Sequence, residues 1–439
     1  MKNLINKNIC NLKEKLTNRE ISSEELVRQC LDRIEETNGK INSFISIDKE
    51  NAIKSAKESD KKLRSGEEIG LLEGIPISIK DNVSVKDMKL TCGSKILSDY
   101  ISMYDATIIN KLKNEGAIIV GKTNTDEFAM GSSTKTSHYG ATKNPIDTKR
   151  VPGGSSGGSA ASVAAKQVPV SIGSSTGGSV RHPASYCGVI GFKPTYGTIS
   201  RYGLVPYAHS LDHVGTFTRE VKDLGPILNT LVGYDEKDST SVKTKSIDYT
   251  RIFEVDDKFM KNLKIGIPKE YFHSKVDNRI SDKVLKAIKD LEKLGANIVE
   301  VSLPSTNYAP QVYKIISNIE GSSNLSRYDG VRYGSRTKNY ESIDEMIMNT
   351  RSENLGPEVK RRILLGTYFA SMSNQKDYYE RAIKLKNLIS NEIYDIFKEV
   401  DVLIAPTTYQ LPPLIDDEED KIIDSYKTDI LTIPANLAG

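Results

Sequence analysis

Apolar positions recur along this chain at two different spacings. Leu26, Val27, Cys30, Leu31 and Ile34 share one face of a helix. Ser22 with Glu25 three residues on forms the capping box that starts it. Asn38-Gly39 is expected to end it, and a second, more polar helix is predicted for about 48–64. Residues 1–66 therefore read as an N-terminal helical arm. From Gly74 the pattern changes to short apolar runs alternating with helices. Ile75, Ile77 and Ile79 mark one run. A helix carrying Ile108, Ile109 and Leu112 follows, capped by Asp105 and stopped by Gly116. Ala117–Gly121 and Val168–Ile172 read as strands, separated by a Gly/Ala/Ser-rich helix over about 157–166 that must pack closely. Leu263–Ile267 reads as a further strand, Ser281–Leu294 as a capped helix, and Ile298–Val301 as the sheet resuming. Such alternation predicts an α/β domain over 67–439, a mixed or parallel sheet covered by helices. Segment 233–260 reads as a polar surface excursion, 305–375 as a helical cap, and the acidic run 416–420 as a solvated loop; there is no internal repeat.

Composition narrows the function classes. With 439 residues, 61 basic against 58 acidic side chains and a net charge of +3, the chain lacks the charge excess of a domain that wraps nucleic-acid phosphates. A mean hydropathy of −0.41 fits a soluble globular protein. No apolar run approaches the ~18 residues of a membrane span, and no signal peptide opens the chain; the expectation is a cytoplasmic protein without a membrane partner. Cys10, Cys30, Cys92 and Cys187 are widely separated and form no CxxC pair. Cys30 and Cys187 read as small core residues rather than metal ligands or disulfide partners.

The chemistry is concentrated in two glycine-flanked serines 24 residues apart. Ser155 lies in Pro152-Gly153-Gly154-Ser155-Ser156-Gly157-Gly158, and Ser179 in Thr176-Gly177-Gly178-Ser179. Serine needs a base to take its proton and donors to hold the oxyanion. The backbone N–H groups of Thr176, Gly177 and Gly178 are candidates for such an oxyanion hole, because glycines let the backbone approach a reacting carbonyl. Lys80 ends an apolar run, Gly74-Ile75-Pro76-Ile77-Ser78-Ile79-Lys80. Burial there would lower its pKa and let it act as the base. Other readings stay open. The Gly-Gly-Ser-Ser-Gly-Gly loop before a helix also suits an anion, although it lacks the Gly-Lys-Ser/Thr ending of a P-loop. His182, three residues from Ser179, permits a Ser-His-Asp arrangement, although no Gly-x-Ser-x-Gly elbow or obvious orienting acid accompanies it.

Segment 74–82, the two serine loops at their spacing, and Gly191-Phe192-Lys193-Pro194-Thr195 together resemble the amidase signature family over nearly the whole chain. Within it, the chain resembles most the A subunits of the aspartyl/glutamyl-tRNA(Asn/Gln) amidotransferases. The features that carry this are Asn124-Thr125-Asp126-Glu127-Phe128-Ala129-Met130-Gly131-Ser132, Glu358-Val359-Lys360-Arg361-Arg362, and the ending Asp429…Pro434-Ala435-Asn436-Leu437-Ala438-Gly439. The resemblance implies an amidase-signature fold. It implies Ser179 as nucleophile, Ser155 as a serine on a cis peptide bond, Lys80 as base, and a proton path linking the three. Arg362, Asp429 and Ser132 are implied as substrate-binding residues, the first for the α-carboxylate of glutamine and the second for its α-amino group. It further implies B and C partner subunits, of which one uses ATP and magnesium on misacylated tRNA, with no cofactor or metal in this chain. Four positions depart from the family pattern: Ser175 for an acid, His182 and His213 for glutamines, and Lys135 for a glutamate. The chain also stops at Asn436-Leu437-Ala438-Gly439 where the family continues, so the C-terminal part of the family core is expected to be missing.

Overall fold

The computed structural model describes residues 4–251, 257–273, 275–416 and 429–439. Most of the acidic run, 417–420, lies outside the described residues. The apolar runs form a six-stranded mixed sheet. Its strands are Phe44–Ile47 (β1), Pro76–Lys80 (β2), Ile118–Thr123 (β3), Val170–Ser175 (β4), Ile190–Phe192 (β5) and His213–Thr218 (β6), in the order β1-β3-β2-β4-β6-β5. The centre, β3-β2-β4, is parallel, whereas β1, β6 and β5 add antiparallel strands outside it. Strands β2, β4 and β6 are buried along their whole length. That is why they read as continuous apolar or small-residue runs rather than as alternation.

Several local expectations are corrected. Residues 1–66 are not a purely helical arm: β1 joins the sheet through β3, and Ile9, Leu12 and Leu16 share a core with Ile77 and Ile79. The capping-box helix starts as expected, with Ser22 Oγ accepting from the Glu25 N–H at 3.0 Å. It runs through Gly39, however, to Ile41 and ends on the left-handed Asn42 (φ 56°). Here Asn38 Oδ1 takes the Phe44 N–H at 2.9 Å and holds the exit. Asp105 does not cap the helix Thr107–Asn114. Its carboxylate accepts from the Lys86 N–H at 2.8 Å and pairs with Lys113 at 2.7 Å, leaving Ala106 at the cap. Asn297–Val301 does not resume the main sheet either. It pairs with Lys264–Pro268 (β7) as β8, and with Val402–Leu403 (β9) they form a separate parallel sheet in the order β8-β7-β9. Within 305–375, helices Ala309–Asn324 and Pro357–Ala370 contribute to a second apolar core that includes Tyr207, Val312, Ile316, Val359 and Ile433, while Ile343–Asn354 adds a further helix to the cap.

Candidate active site

Because β2 and β4 run parallel, with Ile79 opposite Ile172, their carboxyl ends lie side by side. Ligands in α/β sheets gather at such ends. Lys80 is the last residue of β2 and is fully buried. Its Nζ lies 2.7 Å from Ser155 Oγ, 2.8 Å from Ser156 Oγ and 2.9 Å from Ser174 Oγ. Ser156 commits its own proton to the Ser174 carbonyl at 2.9 Å, so toward Lys80 it accepts. Ser155 has no such commitment, which leaves its hydroxyl able to donate to a neutral amine. Burial lowers the Lys80 pKa to about 7, against opposing pulls from Asp126 and Asp212. At neutral pH much of it is therefore an uncharged base.

The Gly154–Ser155 peptide is cis. Asp126 organises this turn: its N–H donates to the Ser155 carbonyl at 3.2 Å, and its carboxylate accepts from the Thr134 N–H and the Thr136 hydroxyl, both at 2.9 Å. Gly154 is required here, since a Cβ would stand 2.2 Å from Asp126 Oδ2. The backbone of Ser132 packs on the same glycine.

Ser179 follows β4 at the mouth of the helix Arg181–Cys187, and the Ser156 N–H donates to its carbonyl at 3.3 Å. The two serine loops are thus hydrogen-bonded neighbours. Among the described residues the Ser179 hydroxyl itself forms no side-chain hydrogen bond, so Lys80 and Ser155 are linked while the expected link from Ser155 to Ser179 is not made in this state. The N–H groups of Thr176, Gly177 and Gly178 likewise have no acceptor among the described residues, as open donors require. The Thr176 hydroxyl donates to Asp212 Oδ1 at 2.6 Å. Gly178 lies under Asp429, where a Cβ would come within 2.5 Å of Oδ1, and Gly177 lies under the ring of Tyr313.

Asp429 pairs with buried His182, Nδ1 to Oδ1 at 3.1 Å. This is the histidine–acid pair a Ser-His-Asp arrangement would need, but no hydrogen bond joins His182 Nε2 to Ser179. Lys80, already hydrogen-bonded to a serine, is the better-connected candidate for a base. Arg362 is buried between Glu358 (Nε to Oε1, 2.7 Å) and the Tyr207 hydroxyl (Nη1, 2.9 Å). Ser156, Ser174, Asp126, Asp212, Tyr207 and Tyr313 were not singled out from sequence. Ser174 and Asp212 owe their places to strand register, and Tyr313 to a helix of the second core, none of which leaves a local motif. Among the described residues no group of three or more His, Cys, Asp or Glu side chains is arranged to hold a metal, and no helix is long and apolar enough to cross a membrane.

A mixed sheet presenting a buried lysine to glycine-rich serine loops is the architecture of an amide-cleaving enzyme, and the family model for Amidase matches residues 25–439; the chain belongs to the amidase signature family. It is 49% identical over 428 residues to the A subunit of glutamyl-tRNA(Gln) amidotransferase from Fusobacterium nucleatum, covering 98% of this chain and 87% of that protein. Its counterpart from Thermoanaerobacter pseudethanolicus is 48% identical with the same coverage. Among solved structures, the A subunit of glutamyl-tRNA(Gln) amidotransferase from Thermotoga maritima superposes with a TM-score of 0.80 at 36% identity, over 100% of this chain and 87% of that one.

Proposed function

We propose that this chain is the glutamine-hydrolysing subunit of a tRNA-dependent amidotransferase, supplying ammonia for conversion of misacylated Glu-tRNA(Gln) to Gln-tRNA(Gln). The observation that carries this reading is the buried Lys80–Ser155 hydrogen bond beside the Ser179 loop, in a chain nearly half identical to such subunits over 98% of its length. Ser179 Oγ attacks the side-chain carbonyl of glutamine while its proton passes to Ser155 and the Ser155 proton to neutral Lys80. The N–H groups of Thr176, Gly177 and Gly178 hold the oxyanion. The C–N bond breaks as the proton returns along the same path to the leaving nitrogen. Ammonia departs, and water, deprotonated in the same way, hydrolyses the glutamyl ester. Arg362 takes the α-carboxylate of glutamine and Asp429 its α-amino group, with Ser132 beside the cis turn. Charge-assisted pairs of this kind select a free amino acid over a plain amide.

The partners are amidotransferase B and C subunits in the cytoplasm. One of them uses ATP and magnesium to activate the glutamate on tRNA, while this chain needs neither cofactor nor metal. Replacing Ser179 with alanine in the assembled complex tests the division of labour. Transamidation with glutamine should vanish while transamidation with free ammonia persists. Equal loss with both nitrogen donors would assign the chain to another role.

A further inference from the structure

Asp212 sits just before β6, next to the residue that pairs with Ser175, and so stands across from Thr176. Its two carboxylate oxygens serve different loops. Oδ1 accepts from the Thr176 hydroxyl at 2.6 Å, and Oδ2 from the backbone N–H groups of Tyr207 and Ala208 at 2.9 and 3.0 Å. The carboxylate is buried, and these three donors are what make burial tolerable. The side chain of Tyr207, buried in turn, receives Arg362 Nη1 on its hydroxyl at 2.9 Å and faces the guanidinium with its ring at 5.5 Å. The same hydroxyl lies 3.0 Å from Ser317 Oγ and 3.1 Å from Asn318 Oδ1. Hydrogen bonds joined through the covalent frame of Tyr207, from its backbone N–H to its hydroxyl, therefore connect the nucleophile loop and Asp212 to the buried arginine.

We propose that Asp212 is a positioning residue that couples the loop carrying the oxyanion donors to Arg362, with Tyr207 as the intermediate, so that glutamine held by its α-carboxylate meets a correctly formed oxyanion hole. This rests on the reading of Ser179 and Arg362 given above. Tyr207 fixes where the guanidinium points; Asp212 fixes where Tyr207 stands and where the Thr176 end of the loop stands. Loss of either link should leave the nucleophile present but separate binding from turnover in a characteristic way.

The test is steady-state glutamine hydrolysis by the complex assembled with its partner subunits. Tyr207→Phe removes one charge-assisted hydrogen bond to the arginine and should raise KM for glutamine about tenfold with a much smaller change in kcat. Asp212→Asn can still give an oxygen to the two backbone N–H groups while its amide faces Thr176, so it should lower kcat with little change in KM. Asp212→Ala loses both links and should change both constants, and adding Tyr207→Phe to it should raise KM little further. A primary amide without an α-carboxylate distinguishes positioning from general loosening. Its hydrolysis should be slowed by Asp212→Asn but hardly touched by Tyr207→Phe. Additive KM effects in the double variant, or a wild-type KM in Asp212→Ala, would overturn the proposal. Should Asp212→Ala not assemble, identical kcat/KM splits for Asp212→Asn and Tyr207→Phe would overturn it equally well. Glutaminase activity surviving in Ser179→Ala would instead overturn the underlying reading, and is scored separately.

Discussion

Replacing Lys80 with methionine separates the base from the space it fills. In the folded protein burial lowers the Lys80 pKa from 10.5 to about 7. The folded pKa thus lies below the unfolded one. Between the two values the unfolded chain holds a proton that the folded chain lacks, and stability rises with pH across that window. Going from pH 6 to pH 9 crosses about two of those pH units, at about 1.4 kcal/mol each, so the wild type should gain about 3 kcal/mol relative to the variant. Other titrating groups, such as Glu127, pushed up to about 7 by burial, are present in both proteins and largely cancel in the difference. Activity follows the same group with the same sign, since the base must be neutral. For the wild type, kcat/KM for glutamine should rise about tenfold from pH 6 to its plateau, and the methionine variant should lose on the order of 10²–10⁴-fold at all pH values. Urea unfolding of both proteins at pH 6 and pH 9, with glutaminase assays of the assembled complexes, reads both effects. Parallel stability changes in the two proteins, or a wild-type activity flat between pH 6 and 8, would refute the assignment of Lys80 as a neutral buried base.

Gly178→Ala would bring a Cβ within 2.5 Å of Asp429 Oδ1 and 2.3 Å of Thr432 Oγ1; glutaminase kcat/KM should fall at least about tenfold with the melting temperature changed far less. Gly154→Ala, 2.2 Å from Asp126 Oδ2, should lower stability by about 1–3 kcal/mol in chemical denaturation, as overpacking does. Glu127 accepts from the Gly356 N–H at 2.9 Å at the start of the helix that carries Arg362. Because burial raises its folded pKa from 4.5 to about 7, its contribution is fully present at low pH and lost as pH rises, so Glu127→Gln should cost less stability at pH 8 than at pH 5.5. Ser175 has a buried hydroxyl with no partner among the described residues and stands opposite His213. Ser175→Asp is expected to raise kcat/KM for glutamine by ordering the nucleophile loop, and an unchanged or lower value would show that the chain has compensated elsewhere or is not a working glutaminase.

What the sequence disclosed, and what it hid, follows from where each contact is encoded. The strand-end placement of Lys80 was legible because an apolar run ending in a lysine is a local pattern, and the turns at Ser155 and Ser179 because glycines mark both loops. The sheet was legible from alternation, but its edges were not. β1 hides in a segment of helical pattern because only four residues, Phe44–Ile47, are extended. Ile298–Val301 has the composition of a sheet strand, yet nothing in it says which sheet it joins. Arg362 and Asp429 came only with the family resemblance. Their actual neighbours, Glu358 and Tyr207 for the one and His182 for the other, arise from packing between distant segments.

If Lys80 is the base proposed above, the placement of the acids explains why it is usable. A carboxylate bonded to Lys80 would hold the ammonium and disable the base. The nearby acids are instead engaged elsewhere. Asp81, the next residue, faces Lys122 at 3.2 Å and takes the Thr91 N–H at 3.0 Å. Asp126 is occupied by the 133–136 loop, and Asp212 by Thr176 and the 207–208 backbone. What touches Lys80 Nζ is a set of hydroxyls and one carbonyl. Hydroxyls can give or take a proton without pinning the charge, so burial dominates and the amine stays near neutrality. The same acids that are kept off the lysine hold the loops that surround it, and this double use ties the chemistry of the site to the order of its glycine-rich turns.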